Sequence, residues 1–199
     1  MIAKVCGLTS AGDLSHAREA GADLLGMIFV PGTPRYVTDQ FLKELVDPSR
    51  TVGVFRNADV KQIEAERGRF STEYVQLHGV ETPEFGEEVK AKTGAKLIRV
   101  LSPADLGEAG DWAGIADFLL VDTPGGGTGH RFDWSSLKWF GPETPFLIAG
   151  GLDAAGIVEL RAMNLAKSWA GVDACSRLES VVGVKNHGAV EAYLAEAKR

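Results

Sequence analysis

PFLIAGGLDAAGIVELRAMNLAKSWAGVDAC, residues 145–175, shows most clearly how this chain is organised. A short apolar run, PFLIAGG, ends in two glycines, and Asp153 then stands where a helix N-cap belongs. The stretch AAGIVELRAM has the pattern of a helix, and a second apolar run, WAGVDAC, follows it. A strand, a helix and a strand in this order predict a βαβ unit with parallel strands.

Apolar runs of this kind recur along the whole chain. They are IAKVCGL at residues 2–8, DLLGMIFV at 23–30, TVGVF at 51–55, YVQLHG at 74–79, KLIRVL at 96–101, DFLLVD at 117–122, PFLIAGG at 145–151 and WAGVDAC at 169–175. Helix-like segments follow six of them, among them FLKELVD after the second run, while the segments after the fifth and sixth are short and poorly periodic. Eight strands alternating with helices predict a closed (β/α)₈ TIM barrel rather than an open doubly wound sheet. The barrel would be compact, since roughly 200 residues is the lower end for that fold.

Local signals agree with this division of the chain. Asp13, Thr38 and Asp153 stand at helix N-cap positions, where a side-chain oxygen can accept hydrogen bonds from free backbone amides. No Pro- or Ser-rich linker and no low-complexity tract interrupts the sequence. We therefore expect residues 1–199 to form a single catalytic domain.

The composition is that of a soluble globular protein and argues against several kinds of partner. With 21 Lys and Arg against 27 Asp and Glu, the net charge is −6, which disfavours binding to a nucleic-acid backbone. No apolar stretch reaches the ~18 residues of a membrane span, and the N-terminus lacks the features of a signal peptide. We expect a cytoplasmic location, in which Cys6 and Cys175 are free thiols.

Polar side chains cluster at the C-terminal ends of the apolar runs. Cys6, His78, Asp122 and Asp173 each stand at or near the end of a predicted strand. Barrel enzymes build their active sites at that face, so these residues are the first candidates for chemistry.

Asp122 ends the apolar run FLLV and precedes the glycine-rich PGGGTG at residues 124–129. A carboxylate at the end of a buried strand is costly unless it is paired or neutral, and burial raises its pKa, which suits a general acid. The alternative is an aspartate that only caps the glycine-rich turn. That turn can hold phosphate with its backbone amides, although it matches neither a P-loop nor a dinucleotide fingerprint.

Cys6 ends the first run, and a buried cysteine is most often a small apolar side chain. Side chains on a strand alternate between its faces, however, so Lys4 and Cys6 point the same way. Inside a barrel, that ammonium would lower the pKa of the thiol and favour the basic thiolate. We expect Lys4 to pair with Asp173, because the first and last strands become neighbours when a barrel closes and an unpaired buried ammonium is expensive.

Four further positions are candidates for ligand binding. Gly150 and Gly151 lie in AGGL after the seventh run, and barrels often bind phosphate with the loops after strands seven and eight. Arg35 can hold a carboxylate through two parallel hydrogen bonds or remain a solvated loop residue. His78 can contact a ligand or satisfy a turn. Since no two histidines have metal-ligand spacing, no metal is predicted.

Eight strings of sequence can be considered together. They are KVCGLT at residues 4–9, GMIFVPGTPRYV at 26–37, VGVFRN at 52–57, VQLHG at 75–79, LLVDTPGGGTGHRFDW at 119–134, LIAGGL at 147–152, GVDACSRLES at 171–180 and GVKN at 183–186. In this order and spacing they resemble the phosphoribosylanthranilate isomerases. Each string alone is a weak signal, but so many in register are specific, and they cover essentially the whole chain.

The resemblance implies a role in tryptophan biosynthesis on a (β/α)₈ barrel that uses no metal or cofactor. The implied reaction is the Amadori rearrangement of N-(5-phosphoribosyl)anthranilate, a small phosphorylated substrate, to the corresponding 1-deoxyribulose 5-phosphate. Asp122 would be the general acid that opens the ribose ring, and Cys6 the general base that removes the proton from carbon 2. Arg35 would contact the anthranilate carboxylate, while Gly150, Gly151 and the loop after strand eight would bind phosphate.

The loop after strand eight departs from the family pattern. The family typically reads VDVSSGVE, whereas residues 172–179 here read VDACSRLE. Asp173 and Ser176 are retained, Cys175 replaces a serine and Arg177 replaces a glycine. All four are predicted to belong to the substrate site. We expect Arg177 to contact the phosphate directly, in place of the close backbone approach that a glycine permits.

Two other functions compete with this one. The isomerase of histidine biosynthesis performs the same chemistry on a related barrel with two aspartates, and Cys6 argues against it. A non-catalytic barrel that binds phosphorylated ligands would not be expected to keep Cys6, Asp122 and Arg35 together. The sequence leaves open whether the chain is a monomer or a homodimer.

Overall fold

Eight parallel strands close into a barrel in the computed structural model, which describes residues 1–38, 40–124 and 129–199. The barrel strands are β1 Ile2–Val5, β2 Leu24–Ile28, β3 Thr51–Phe55, β4 Tyr74–Leu77, β5 Lys96–Leu101, β6 Phe118–Val121, β7 Phe146–Ile148 and β8 Trp169–Ala174. Each strand pairs with its neighbours in the chain, and β1 pairs with β8 to close the sheet. The predicted TIM barrel is confirmed.

Within the described residues, five α-helices lie on the outside of the barrel. They are α1 Ala11–Glu19, α2 Val60–Phe70, α3 Pro83–Thr93, α4 Ala154–Ala162 and α5 His187–Lys198. Asp153 caps α4 as predicted, since its side chain accepts from the N–H of Gly156 at 2.9 Å. The prediction for Asp13 is wrong. The first helix starts earlier and Ser10 caps it, while Asp13 lies in its first turn.

Short 3₁₀ helices replace α-helices after the second, fifth and sixth strands. They span Gln40–Glu44, Pro48–Arg50, Leu106–Trp112 and Trp134–Trp139. The predicted helix FLKELVD is therefore wrong in type, since the 3₁₀ helix in this segment ends at Glu44 and a second one begins at Pro48. The predicted N-cap Thr38 adjoins residue 39, which lies outside the described residues.

A small apolar cluster fills the barrel interior, and polar side chains lie at its C-terminal mouth. Leu24, Val52, Ile98, Leu120 and Leu147 belong to this cluster, while a larger cluster packs between the strands and the helices. Since side chains two residues apart share a face, the side chain two residues beyond Leu120 points to the barrel axis at the mouth. That side chain is Asp122.

A small hairpin follows the barrel. After β8 come a 3₁₀ turn, Ser176–Leu178, and two antiparallel strands, β9 Glu179–Val181 and β10 Val184–Lys185. The hairpin brings two charged side chains, Glu179 and Lys185, back to the mouth beside β1. No helix in the described ranges is long and apolar enough to cross a membrane.

Candidate active site

Two clefts meet at Asp122, at the C-terminal end of the barrel. The first has an empty volume of about 330 Å³, and we call it the glycine cleft. Its lining includes Gly129, Gly150, Gly151, Asp173, Cys175 and Ser176. The second has an empty volume of about 650 Å³, and we call it the arginine cleft. Its lining includes Arg56, Asn57, His78, Arg99 and Ser102.

The Asp122 carboxyl holds its proton more tightly than an ordinary aspartate. Its side chain is 12% exposed. Burial, followed by repulsion from Asp173, raises its pKa to about 6. Nε2 of His78 lies 3.5 Å from Oδ2 of Asp122. Burial also lowers the pKa of His78 to about 4, so this histidine is neutral at pH 7 and the contact is a long polar contact rather than an ion pair.

The pKa of the Cys6 thiol is shifted in the opposite direction, which favours the ionised form. A hydrogen bond with the Cys175 thiol and the charge of Lys4 outweigh the effect of burial and lower the pKa of Cys6 to about 7. Lys4 itself is fully buried, and its Nζ donates to Oδ2 of Asp173 at 2.9 Å. The predicted pairing of Lys4 with Asp173 is confirmed.

A second buried network surrounds the predicted carboxylate ligand, Arg35. Its Nε and Nη2 both donate to Glu179, each at 2.8 Å. Nζ of Lys185 donates to the same carboxylate at 3.0 Å and to the Cys175 carbonyl at 3.2 Å. Two cations thus share one anion close to the thiols, and the excess positive charge favours a thiolate at Cys6. Glu179 and Lys185 were not predicted as site residues from the sequence, although SRLES and GVKN contain them.

The glycine cleft requires backbone that only glycine adopts easily. Gly150 and Gly151 have φ of +79° and +62°, and a Cβ on Gly151 would lie 2.6 Å from the Gly129 carbonyl oxygen. Asp173 contributes a buried Oδ1 that has no hydrogen-bond partner among the described residues. Residues 125–128 of the predicted glycine-rich loop lie outside the described residues.

A family model described as N-(5'-phosphoribosyl)anthranilate (PRA) isomerase matches residues 3–196. The chain belongs to this family. The PRA isomerase of Phocaeicola vulgatus is 36% identical to it, with 100% of this chain and 98% of that protein covered. The PRA isomerase of Paracoccus denitrificans is 37% identical, over 98% of this chain and 95% of that protein.

Crystal structures of two relatives share the fold along their length. The phosphoribosyl anthranilate isomerase of Thermus thermophilus superposes with a TM-score of 0.86 at 26% identity, covering 98% of each chain. The protein named TrpF from Jonesia denitrificans gives a TM-score of 0.85 at 28% identity, covering 100% of this chain and 97% of that one.

Within this PRA isomerase family member, Arg177 lies across the rim of the glycine cleft. Its exposed side chain donates from Nε to the Gly129 carbonyl at 3.2 Å. The arginine therefore links the loop after β8 to the loop after β6. The expected contact with phosphate stays a prediction, and this position is compatible with it.

Arg56 also lines the candidate site, and it was not predicted from the sequence. It follows β3 directly, is exposed, and lines the arginine cleft near His78. Its position at a strand end in VGVFRN was the available signal. In the part of the chain that the structure describes, no group of three or more His, Cys, Asp or Glu side chains is placed to hold a metal ion.

Proposed function

We propose that this chain is an N-(5'-phosphoribosyl)anthranilate isomerase of tryptophan biosynthesis in which Asp122 is the general acid and Cys6 the general base. The observation that carries the proposal is the opposite shift of the two groups, with the pKa of Asp122 raised to about 6 and that of Cys6 lowered to about 7. A carboxyl that keeps its proton to a higher pH than usual and a thiol that loses its proton at a lower pH than usual are what an acid–base rearrangement requires.

The Amadori rearrangement needs one proton delivered and another removed. Asp122 protonates the ring oxygen of the ribose, and the ring opens to an imine of the anthranilate nitrogen. The Cys6 thiolate removes the proton from carbon 2, and the resulting enolamine tautomerises to the ketone. Cys6 follows the C-terminal end of β1, and Asp122 follows that of β6. In the closed barrel these two strands are separated by β7 and β8.

The substrate phosphate occupies the glycine cleft. Backbone at Gly150 and Gly151 leaves room for a close approach, and Ser176 and Arg177 add donors from the loop after β8. The unpartnered Oδ1 of Asp173 accepts a hydrogen bond from a substrate hydroxyl. A buried acceptor without a partner costs about 1–3 kcal/mol, so this contact also favours binding.

The anthranilate ring occupies the arginine cleft, on the other side of Asp122. Arg35 stays a candidate for its carboxylate, but Glu179 already accepts two hydrogen bonds from that guanidinium. A carboxylate at Arg35 must share or displace Glu179. Arg56 has no such competing pair in the described part of the chain, and it lines the arginine cleft beside the neutral His78. We assign Arg56 a contact with the carboxylate in addition to Arg35.

Turnover of PRA by the purified full chain, followed as the loss of anthranilate-type fluorescence, tests this function. Cys6→Ser and Asp122→Asn should each lower kcat by about 10²–10⁴-fold, because a serine hydroxyl hardly ionises and an amide cannot supply the proton. Near-normal turnover in either variant refutes the role of that residue. Turnover of the histidine-pathway substrate alone would identify the related isomerase, and turnover of neither would indicate a binding protein.

A further inference from the structure

Cys6 and Cys175 lie next to each other at the mouth of the barrel. β1 and β8 pair in parallel with Val5 opposite Ala174, and the N–H of Cys6 donates to the Ala174 carbonyl at 2.9 Å. The next pair in this register is Cys6 and Cys175. Both thiols therefore follow the buried Lys4–Asp173 pair on the same side of the sheet.

The local backbone leaves the two sulfurs free to meet. Both cysteines are free thiols. The Cys175 thiol donates to Oε1 of Glu179 at 3.8 Å and accepts from Nζ of Lys185 at 3.8 Å. A Cβ on Gly7 would lie 2.7 Å from Sγ of Cys175, and a Cβ on Gly26 would lie 2.7 Å from Sγ of Cys6. Neighbouring strands are about 4.8 Å apart, which is within the Cα separation of about 4.4–6.8 Å that a disulfide spans.

The two thiols differ in reactivity. Cys6 is the ionised partner, since the hydrogen bond from Cys175 and the charge of Lys4 lower its pKa to about 7. The same hydrogen bond, together with burial, raises the pKa of Cys175, which therefore holds its proton. Cys175 also lines the glycine cleft, so a small solute can reach the residue next to Cys6. A nucleophilic thiolate beside a second thiol is the arrangement of a reversibly oxidised cysteine.

We propose that Cys6 and Cys175 form an oxidation site at which a hydroperoxide converts the two thiols into a disulfide. The Cys6 thiolate attacks one peroxide oxygen, the O–O bond breaks, the departing oxygen leaves as water or an alcohol, and Cys6 becomes a sulfenic acid. The Cys175 sulfur then attacks the Cys6 sulfur and gives up its proton. The S–O bond breaks, a water molecule leaves and the disulfide forms. Two thiols are oxidised and one peroxide is reduced.

A serine at position 175 could not complete the second step. Cys175 gives the Cys6 sulfenic acid a partner and so protects Cys6 from irreversible oxidation. The disulfide would remove the thiolate from the site, so the consequence for activity rests on the proposed role of Cys6. The oxidation itself does not depend on that role.

The test is to treat the purified full chain with about a tenfold excess of hydrogen peroxide. Intact mass, a peptide map and PRA turnover are measured before treatment, after treatment and after a thiol reductant. The wild-type chain should lose about 2 Da, yield one peptide pair linked through Cys6 and Cys175, and recover most of its activity on reduction. The matched control is Cys175→Ser, scored against its own starting activity and shown to fold by its thermal melt.

In the serine variant, the Cys6 sulfenic acid can be trapped by a sulfenic-acid probe added during the treatment, but it has no neighbouring thiol and should be oxidised further to the sulfinic acid. A thiol reductant does not reverse that second oxidation, so the variant should recover at least about fivefold less activity than the wild type. A wild-type chain that is oxidised without forming the linked peptide overturns the proposal. So does a serine variant that recovers as fully as the wild type. If the disulfide forms in a chain that never turns over PRA, the proposed function fails and the oxidation site stands.

Discussion

Nζ of Lys4 lies 2.9 Å from Oδ2 of Asp173, and the lysine side chain has no exposed surface. The two residues are opposite each other where β1 and β8 close the barrel. The attraction of Asp173 and of the Cys6 thiolate keeps Lys4 charged and raises its pKa, although burial opposes the charge. The same ammonium lowers the pKa of Cys6. One buried cation thus contributes both to closure of the barrel and to ionisation of the base.

Lys4→Met should destabilise the protein by about 3–5 kcal/mol, because it leaves the Asp173 carboxylate buried without its partner. It should also raise the pKa of Cys6, measured as the pH dependence of thiol alkylation. The control is the double variant Lys4→Met with Asp173→Asn, which removes both charges and should regain part of the lost free energy of unfolding. If the double variant is as unstable as the single one, the unpaired charge is not the cause.

The pKa values of Asp122 and Cys6 predict a bell-shaped pH dependence of kcat/KM. The rate falls at low pH as the Cys6 thiolate takes up a proton, and at high pH as Asp122 loses one. The productive form has Asp122 protonated and Cys6 ionised. Since the acid titrates near 6 and the base near 7, the fraction of enzyme in this form is greatest between those two pH values, where it reaches roughly 5%. Measuring kcat/KM from about pH 5 to about pH 9 checks this. A rate that stays constant above pH 8 would contradict the assignment of Asp122 as the acid.

Asp122→Asn should stabilise the fold while it lowers activity. The folded-state pKa of about 6 lies above the ordinary value of 3.8, so the ionised carboxylate disfavours the folded state above pH 6 by about 2–3 kcal/mol. This cost falls as the pH drops through 6 towards 4, because the carboxyl becomes protonated. Denaturant unfolding should therefore show a larger advantage of the variant at pH 8 than at pH 5. An equal difference at both pH values would mean that burial of the charge is not responsible.

Arg56→Gln should raise KM for PRA by about 3- to 10-fold with a smaller change in kcat, because a contact made by the unreacting ring is similar in the ground and transition states. The matched control is Arg50→Gln, since Arg50 lies at the other end of β3 and pairs with Asp47. With a substrate analogue that lacks the carboxylate, Arg56→Gln and the wild type should have the same KM. An equal loss with that analogue would show that Arg56 does not contact the carboxylate.

Arg177→Gly should raise KM with little effect on kcat. The substitution removes a cation from the rim of the glycine cleft and the hydrogen bond from Nε to the Gly129 carbonyl. Arg177→Lys keeps the charge and separates the two effects, because a lysine cannot reproduce the planar guanidinium. If the glycine variant binds substrate more tightly than the wild type, the arginine opposes this reaction.

Much of the fold and part of the site could be predicted from the sequence because local patterns encode them. The apolar runs indicated eight strands, and alternation along β1 placed Lys4 and Cys6 on one face. Closure of a barrel then implied the pair with Asp173. The position of Asp122 at the end of a buried strand likewise placed it at the mouth, because burying an unpaired carboxylate inside the barrel would be costly.

The tertiary structure alone decided how Arg35, Glu179 and Lys185 meet. Glu179 occupies two donors of Arg35 across 144 residues of chain, and Lys185 joins them through a hairpin that has no strong local signal. Whether Arg35 is free for a substrate therefore depends on where that hairpin packs. The helical segments after the second, fifth and sixth strands were predicted, but their 3₁₀ type was not, because two turns are too short to show a helical period. Strand and helix patterns are short-range properties of a sequence, whereas the pairing of buried charges depends on the closed barrel that brings distant residues together.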